Sequence, residues 1–251
     1  NLRANHRDPL LHTRSRLFSF FELLRPLTGR ESWDHFDWRD VGITKRTLQY
    51  AITDQLGPIY RKLKNLQIRR RMLRQHHAVL RRLKSTGHLN KIVFLCYGNI
   101  CRSPLATKFA QQQMPGTIID SAGFYAREGR GTPTKILQFA EACGLDLSLH
   151  RSCRVTAGQL ANADLVVVMD MENFKLVKEK FPEVLGRTTL LGLFGSTPAI
   201  AIADPYTADE ATAAKICEQV RAGVEGLAKT LAKAESLSQM SKVTPAISST
   251  Q

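Results

Sequence analysis

The sequence predicts an α/β sandwich with a parallel sheet over residues 91–234. Strand-like and helix-like segments alternate throughout this range, as they do when helices connect neighbouring parallel strands. The segment LVVVM at 165–169 is apolar at every position, which is typical of a strand buried on both faces of such a sheet. The N-terminal part of the chain lacks this alternation, and we predict it to be a mainly helical extension.

Each predicted element has its own local signal. Proline favours the first position of a helix, so Pro104 marks a start, with Ser103 as the N-cap. Glycine favours the residue after a helix, so Gly144 marks a stop. Apolar runs bounded by turn residues indicate strands. The predicted strands are 92–95, 117–120, 165–169 and 188–191, and the predicted helices are 104–114, 133–143, 173–180 and 209–233.

Composition changes near residue 90. The first 90 residues hold 19 Lys/Arg and 7 Asp/Glu, a net charge of +12, while the whole chain carries +14. The basic character therefore belongs to the N-terminal third. We predict four regions: an irregular segment at 1–54, a basic helix and linker at 55–90, the α/β domain at 91–234, and a disordered Ser/Thr-rich tail at 235–251.

The sequence argues against membrane-spanning and disulfide-rich classes of protein. No apolar run approaches the roughly 18 residues that a spanning helix needs, and we find no signal peptide. The five cysteines are an odd number without scaffold-like spacing, which favours a reducing compartment over a disulfide framework. We therefore predict a cytoplasmic protein.

The stretch CYGNICRS, residues 96–103, predicts an anion site where the first strand ends. Ligands of parallel α/β sheets bind at the carboxyl ends of the strands. Gly98 and Asn99 tolerate left-handed backbone conformations, which lets N–H groups turn inward as a nest. The next helix adds the free N–H groups of its first turn, and Arg102 adds a planar fork matched to phosphate oxygens. No Gly-Lys-Ser/Thr follows, so this is not a nucleotide-binding phosphate loop.

A cysteine at the floor of such a loop is a candidate nucleophile. A free thiol is mostly protonated at neutral pH, and the positive field that binds phosphate also favours the thiolate. We expect Cys96 to attack phosphorus, with the Ser103 hydroxyl donating to its sulfur. The leaving oxygen needs an acid, for which Asp204 in ADPYTADE is the candidate. Tyr206 can form an aromatic wall beside the substrate.

Five motifs carry a resemblance to a known family. VFLCYGNICRSP, DSAG, LHRS, VVVMD and ADPY occur in this order and resemble those of the low-molecular-weight protein tyrosine phosphatases. The resemblance covers residues 91–233. It implies a flavodoxin-like three-layer sandwich with a four-stranded parallel sheet, no cofactor and no metal. It also implies a tyrosine-phosphorylated protein as substrate.

The resemblance implies roles for individual residues. Cys96 would be the nucleophile that forms a phosphocysteine, Arg102 would bind the phosphate, and Asp204 would be the general acid and then the base that activates water. Cys101 would shield Cys96 as a reversible disulfide, and His150 would give structural support. The implied phosphate-binding and substrate-binding residues are Tyr97, Gly98, Asn99, Ile100, Cys101, Ser103 and Tyr206.

Three alternative functions are compatible with such a loop. Thioredoxin-coupled arsenate reductases add a pair of relay cysteines. The later cysteines of this chain do not lie at the positions expected for that pair; they are Cys143, Cys153 and Cys217. Protein arginine phosphatases carry threonine where this chain has Ile100, so phosphotyrosine is favoured. A catalytically silent phospho-binding adaptor is disfavoured because the nucleophile, the arginine and the acid are all intact.

Two segments are not explained by the resemblance. Residues 123–133, GFYAREGRGTP, are longer than the turn expected after DSAG, so we expect the rim of the anion site to differ from that of the family there.

The predicted helix within 55–84 carries ten Lys/Arg and no acid. It suits docking on the anionic inner face of a membrane or on an acidic protein, packing on the α/β domain or a second copy, or simple solvation. Nucleic acid is disfavoured because the helix has few aromatic residues and no reader motif.

Overall fold

The computed structural model describes residues 57–86 and 89–243. The chain divides into two compact units, residues 1–68 and 69–251, and the first described helix, α1 (Gly57–Thr86), begins in one and ends in the other. The segment predicted to be irregular, 1–54, lies outside the described residues. The sheet, the helices that cover it and the candidate site all belong to the second unit.

The second unit alternates strands and helices as predicted. One short helix, α4 (Ala157–Ala161), was not predicted; it begins with a capping box formed by Thr156 and Gln159. Two 3-10 helices, Pro182–Arg187 and Leu191–Leu193, flank the last strand. After α1 the elements are β1 (Lys91–Cys96), α2 (Arg102–Gln113), β2 (Ile118–Gly123), α3 (Thr134–Ala142), α4 (Ala157–Ala161), β3 (Leu165–Val168), α5 (Met171–Lys180), β4 (Thr188–Leu190) and α6 (Glu210–Val243).

The four strands form one parallel sheet in the order β2-β1-β3-β4. β1 pairs with both β2 and β3, so Phe94 lies opposite Ser121 on one side and Val167 on the other. Residues 92–95 and all of β3 are buried, as predicted for strands covered on both faces. Helices cover the sheet on both sides, which confirms the flavodoxin-like three-layer sandwich. The carboxyl ends of β1 and β3 meet at one edge, where Cys96 lies.

α2 begins two residues earlier than predicted, at Arg102. Cys101 occupies the N-cap position and no side chain caps the helix, so the prediction of Ser103 as N-cap is wrong. The Ser103 hydroxyl instead lies 3.0 Å from the Cys96 sulfur. Because no side chain accepts from its first turn, the N-terminal N–H groups of α2 stay available to an anion.

The second half of α1 packs on the α/β domain. His76 Nδ1 lies 2.9 Å from the Thr189 hydroxyl of β4, and the ring meets Phe194 edge-on at 4.7 Å between centroids. Burial, with a smaller effect of His77, lowers the pKa of His76 to about 4, so the ring is neutral at pH 7 and suits an apolar contact. Spacings of four and three residues bring four side chains of this helix into the core: Met72, His76, Val79 and Leu83.

α6 extends further than predicted. It continues to Val243, ten residues past the predicted end, so residues 235–243 are helical and their prediction as part of a disordered tail is wrong. Ala234, the first residue past the predicted end, is buried, as is Leu231 three residues earlier. Residues 244–251 lie outside the described residues. Within the described part of the chain, no helix is both long and apolar enough to cross a membrane.

The packing of α1 predicts a stability effect for Leu83. This side chain is 4% exposed within the core, so Leu83→Ala should lower the free energy of unfolding by about 2–5 kcal/mol. Leu149, 84% exposed, provides the matched control, and Leu149→Ala should change it by less than about 0.5 kcal/mol. Urea unfolding followed by circular dichroism measures both. Equally small losses of unfolding free energy in Leu83→Ala and Leu149→Ala would show that α1 is not part of the cooperative core.

Candidate active site

The loop after β1 turns sharply at Asn99. Asn99 has φ 52°, the only positive value among non-glycine residues in the described part of the chain. Asparagine adopts this left-handed conformation more readily than most residues, which is why Asn can stand at such a turn. The turn points the backbone N–H of Asn99 at the Cys96 sulfur, 3.2 Å away. The loop is therefore folded around the thiol.

The buried side chain of Asn99 holds the loop in place. Its Nδ2 donates to the hydroxyls of Ser103 and Ser121, both at 3.0 Å. Its Oδ1 accepts from the backbone N–H of Cys153 at 3.0 Å, and its carbonyl accepts from His150 Nε2 at 2.7 Å. Burial lowers the pKa of His150, while its bond to the Asn99 carbonyl opposes that shift. The structural support implied for His150 is therefore a hydrogen bond to the turn itself.

Two donors surround the Cys96 sulfur. The side chain is 3% exposed, and Sγ accepts from Asn99 N at 3.2 Å and lies 3.0 Å from Ser103 Oγ. Because Asn99 Nδ2 already donates to Ser103 Oγ, the Ser103 hydroxyl hydrogen is free to point at the sulfur. Donors of this kind stabilise a thiolate over a thiol. The geometry thus suits a nucleophile, as the sequence suggested.

Cys101, the second cysteine of the loop, lies in a different environment. It is also 3% exposed, and burial, followed by the charge of Asp204, raises the pKa of its thiol to about 12. At neutral pH it is protonated and a poor nucleophile. Both Cys96 and Cys101 are free thiols in this structure, and the disulfide between them stays a prediction.

Arg102 is buried and holds two carboxylates. Its Nη1 donates to Asp170 Oδ2 at 2.6 Å and to the Ile202 carbonyl at 3.0 Å, and its Nη2 donates to Asp204 Oδ2 at 2.9 Å. Burial acts to lower the pKa of Arg102, but the charges of Cys96, Asp204 and Asp170 outweigh it and raise that pKa. The guanidinium therefore stays charged beside the thiol.

Asp170 is a site residue that sequence reasoning missed. It caps α5, where its Oδ1 accepts from Asn173 N at 2.8 Å, while Oδ2 accepts from Arg102. The signal was available, because VVVMD places an acid two residues after the end of β3, whose carboxyl end adjoins that of β1. Because the carboxyl ends of neighbouring parallel strands meet, the topology predicts that a carboxylate following β3 lies near the thiol and the arginine that follow β1.

Asp204 lies on the loop before α6, at the mouth of the site. Its side chain is 46% exposed, and its Oδ1 accepts from Tyr206 N at 3.1 Å. Lys135 fixes this loop by donating to the carbonyls of Tyr206 at 2.8 Å and Ala208 at 2.5 Å. Lys135 is a second residue that the sequence did not indicate. Asp204 is thus held near Arg102 yet remains accessible from solvent.

A cavity of about 730 Å³ opens above the loop. Eight of the ten predicted site residues line it: Cys96, Tyr97, Gly98, Ile100, Cys101, Arg102, Asp204 and Tyr206. The other two, Asn99 and Ser103, lie beneath and contact Cys96 from inside. Four further residues that the sequence did not single out complete the lining: Tyr125, Arg127, Arg130 and Thr207.

Three tyrosines form the walls of this cavity. Tyr97 and Tyr125 lie with ring centroids 4.8 Å apart, and Tyr206 is half-exposed across from the loop. Tyr125 comes from the long segment at 123–133, which the sequence marked as a different rim. Aromatic walls above an anion-binding floor suit a flat ring that bears a phosphate. In the described residues, no group of three or more His, Cys, Asp or Glu side chains is arranged to hold a metal ion.

Fold and site together define an α/β enzyme with an anion-binding loop and a cysteine at its floor. The sequence profile of the low molecular weight phosphotyrosine protein phosphatase family matches residues 91–237, more than half of the chain. The chain therefore belongs to this family of protein-tyrosine phosphatases.

Curated relatives agree with the profile. The chain is 31% identical over 137 residues to the probable low molecular weight protein-tyrosine-phosphatase EpsP of Ralstonia nicotianae, a match that covers 55% of this chain and 92% of the relative. It is 35% identical over 120 residues to the low molecular weight protein-tyrosine-phosphatase Ptp of Acinetobacter johnsonii, covering 48% of this chain and 82% of that one. The similarity thus spans most of each relative.

Solved structures show the same fold. The tyrosine phosphatase Wzb from Escherichia coli, determined with sulphate, aligns with a TM-score of 0.55 and 27% identity over 57% of this chain and 99% of that one. The YwlE arginine phosphatase from Geobacillus stearothermophilus aligns with a TM-score of 0.54 and 28% identity, over 57% and 94% of the two chains. Both a tyrosine and an arginine phosphatase are therefore similar to this chain in structure.

The close approach of β2 to the loop predicts a requirement for Gly123. A Cβ at this position would lie 2.8 Å from Asn99 N and 2.9 Å from backbone atoms of Gly98 and Tyr97. Gly123→Ala should therefore displace the loop and lower kcat/KM for p-nitrophenyl phosphate by at least about tenfold, because small misplacements of reacting groups are costly. Steady-state kinetics measures the loss.

Gly186 supplies the matched control for this variant. A Cβ there meets nothing within 4 Å, so Gly186→Ala should turn over the substrate like the wild type. Thermal unfolding of both variants separates loop displacement from general loss of structure. Full activity in Gly123→Ala would show that this contact does not position the loop.

Proposed function

We propose that this phosphatase hydrolyses protein phosphotyrosine through a phosphocysteine on Cys96. The observation that supports it is the position of the Cys96 sulfur: at the floor of the cavity, within 3.2 Å of two hydrogen-bond donors, with Arg102 and Asp204 lining the same space. A nucleophile, a phosphate-binding fork and a proton donor are the three groups that such a reaction requires.

In the first step the Cys96 thiolate attacks phosphorus and the bond to the phenolic oxygen breaks. The loop N–H groups and Arg102 bind the other three phosphate oxygens. Asp204, in its protonated form, donates its proton to the leaving oxygen, and tyrosine departs as a neutral phenol. Since Arg102 Nη2 donates to Asp204 in the free enzyme, we infer that the phosphate displaces Asp204 from Arg102 while Asp170 stays on Nη1.

In the second step water attacks the phosphocysteine. Asp204, now a carboxylate, takes a proton from the water, the new P–O bond forms, and the S–P bond breaks to release inorganic phosphate. Cys96 leaves as a thiolate, which Ser103 Oγ and Asn99 N stabilise at 3.0 and 3.2 Å. The roles of Asn99 and Ser103 are thus to hold the loop and to stabilise the leaving sulfur.

Phosphotyrosine is favoured over phosphoarginine by the walls of the cavity. Tyr97, Tyr125 and Tyr206 provide aromatic surfaces, and Ile100 lines the cavity where arginine phosphatases carry threonine. A structure of Wzb from Vibrio vulnificus, which aligns with a TM-score of 0.54 and 26% identity, was determined with benzylphosphonate. That compound joins an aromatic ring to a phosphonate, and the cavity of this chain combines an anion-binding floor with tyrosine walls.

Arsenate reduction is the less favoured alternative. Cys153 Sγ is engaged beneath the loop, 3.3 Å from the Ser121 carbonyl and 3.7 Å from Asn99 Oδ1. Burial raises the pKa of Cys217 to about 12. Neither thiol is placed or activated as a relay to Cys96.

The reversible disulfide between Cys96 and Cys101 remains part of our proposal as a protective device.

Substitutions of the proposed nucleophile and of the proposed proton donor test the mechanism. Cys96→Ser should abolish turnover of p-nitrophenyl phosphate, and Asp204→Asn should lower kcat by about 10²–10⁴-fold, with larger losses for substrates with more basic leaving groups. Cys143→Ser, which removes a thiol outside the cavity, should retain activity. A wild type that binds a phosphotyrosine peptide without hydrolysing it would instead indicate a silent adaptor.

A panel of substrates tests the choice of phosphotyrosine in the same assay. The wild type should hydrolyse a phosphotyrosine peptide faster than phosphoserine and phosphoarginine peptides, and it should not reduce arsenate in the presence of thioredoxin. Faster hydrolysis of the phosphoarginine peptide would indicate that this chain is an arginine phosphatase. Arsenate turnover would contradict the cysteine assignment above.

We also propose that α1 docks the enzyme on the anionic cytoplasmic face of a membrane. α1 contains no acidic residue. Cations near an anionic leaflet are attracted to it, most strongly at low salt. An acidic protein is the alternative partner for the same face. In the second unit, the exposed cations of this helix are Arg69, Arg70, Arg71, Arg74, Arg81, Arg82 and Lys84.

Vesicle co-sedimentation tests this docking. The wild type should bind phosphatidylserine-containing vesicles but not phosphatidylcholine vesicles, and R70E/R74E/R81E, on one face of α1, should lose binding. K175E/K215E/K233E changes three exposed lysines elsewhere with the same change in net charge and should still bind. If the wild type does not bind the phosphatidylserine vesicles, or if both variants lose binding equally, the membrane proposal is wrong. An acidic protein would then be the remaining partner for α1.

A further inference from the structure

The rim of the cavity carries two arginines that the proposed reaction does not use. Arg127 and Arg130 both line the cavity and are exposed, and both come from the segment at 123–133, here called the rim segment. Phosphate binding is assigned to the loop and Arg102, and proton transfer to Asp204. The rim arginines are therefore available to another part of the substrate.

The rim segment is ordered by one buried serine. Ser152, 2% exposed, donates its hydroxyl to the Arg127 carbonyl at 2.5 Å and accepts from Arg130 N at 3.0 Å. Its backbone N–H donates to the Arg130 carbonyl, and its carbonyl accepts from Gly129 N, both at 2.9 Å. The backbones of both arginines are thus tied to the same anchor, which fixes where their side chains begin.

Arg130 is also held beside an aromatic wall of the cavity. Its guanidinium lies 5.7 Å from the ring centroid of Tyr206, and its Nη2 donates to the Tyr206 hydroxyl at 3.4 Å. This contact keeps the charge at the mouth, next to the ring against which a substrate phenyl would pack. It uses one N–H of the five that a guanidinium offers.

The charges of the cavity are unbalanced. Three arginines line it, against the single carboxylate of Asp204. Arg102 is already paired with Asp170 and Asp204, whereas neither Arg127 nor Arg130 forms an ion pair with a carboxylate within the described residues. Two cations at the mouth therefore lack a carboxylate partner within the described residues, and an anionic group of the substrate would pair with them.

We propose that Arg127 and Arg130 bind an acidic side chain that flanks the phosphotyrosine. This inference rests on the proposed function, because it assumes that the phosphotyrosine occupies the loop. Consecutive residues of a peptide are about 3.8 Å apart, so a neighbour one to three positions away can reach the rim while the phosphate is bound. The guanidinium forks pair with the two oxygens of a carboxylate or with those of a second phosphate.

Peptides with matched flanks test the proposal. A phosphotyrosine flanked on both sides by Glu should have a kcat/KM about threefold to tenfold higher than the same peptide with Gln, and the ratio should fall towards one in high salt. In R127Q/R130Q this Glu/Gln ratio should be close to one. In R127E/R130E a Lys-flanked peptide should become the better substrate. The Glu/Gln ratio compares two peptides on the same variant. An indirect effect of the substitutions on Tyr206 therefore changes both kcat/KM values alike and cancels in the ratio.

A control variant and a small substrate separate the outcomes. K215Q/K233Q removes two exposed cations outside the cavity and should keep the wild-type ratio. If p-nitrophenyl phosphate is hydrolysed but the Glu/Gln ratio is one in the wild type, or is unchanged in R127Q/R130Q, this inference is wrong and the proposed function stands. If p-nitrophenyl phosphate is not hydrolysed, both are wrong.

A further pair of peptides identifies the anionic side chain. A phosphoserine in place of the flanking Glu supplies a dianion in the same position. A higher kcat/KM for this peptide would indicate that the rim recognises a second phosphate, and a higher value for Glu would indicate a carboxylate. Either preference, if lost in R127Q/R130Q, supports the proposed role of the rim arginines.

Discussion

The left-handed turn at Asn99 is the constraint on which the rest of the site depends. It directs the backbone N–H of Asn99 at the Cys96 sulfur and carries the chain into α2 with its first N–H groups free. This conformation costs a non-glycine residue roughly 1–2 kcal/mol. Four hydrogen bonds to its amide and carbonyl offset the strain. Glycine would allow the turn but would leave Ser103, Ser121 and the Cys153 N–H without this partner.

The two carboxylates on Arg102 differ in freedom, and the proposed mechanism uses that difference. Asp170 caps a helix with one oxygen and holds Arg102 with the other, so it cannot move without breaking both contacts. Asp204 lies on a half-exposed loop that Lys135 ties down through backbone carbonyls alone, which leaves its carboxylate free to exchange partners. A buried guanidinium needs at least one permanent counter-charge, because an unpaired buried charge is strongly destabilising. Asp170 provides it in the free enzyme, and the proposed mechanism keeps this pair when the phosphate displaces Asp204.

The predictable parts of this structure are those that depend on local pattern. The apolar strands, the Gly-Asn turn and the acid before Pro205 are all encoded within short stretches, and the fold followed from their alternation. Ser103 was misassigned because serine before proline signals a cap, whereas a tertiary bond to Cys96 competes for the same hydroxyl. Asp170 was missed because its partner is 68 residues away and becomes a neighbour only through the β1–β3 pairing. Only the topology of the sheet reveals such a contact.

The segment at 150–153 joins the loop around Cys96 to the rim segment. His150 and the Cys153 N–H hold the catalytic loop through Asn99, while Ser152, between them, holds the backbone of the rim segment. Ser152 thus lies between the two residues that hold the loop, so the loop and the rim segment share one short backbone anchor. The position of the rim charges is therefore set relative to the Cys96 sulfur by a chain of hydrogen bonds rather than by a flexible loop. A substrate whose acidic neighbour meets the rim is, by that geometry, aligned for attack at phosphorus.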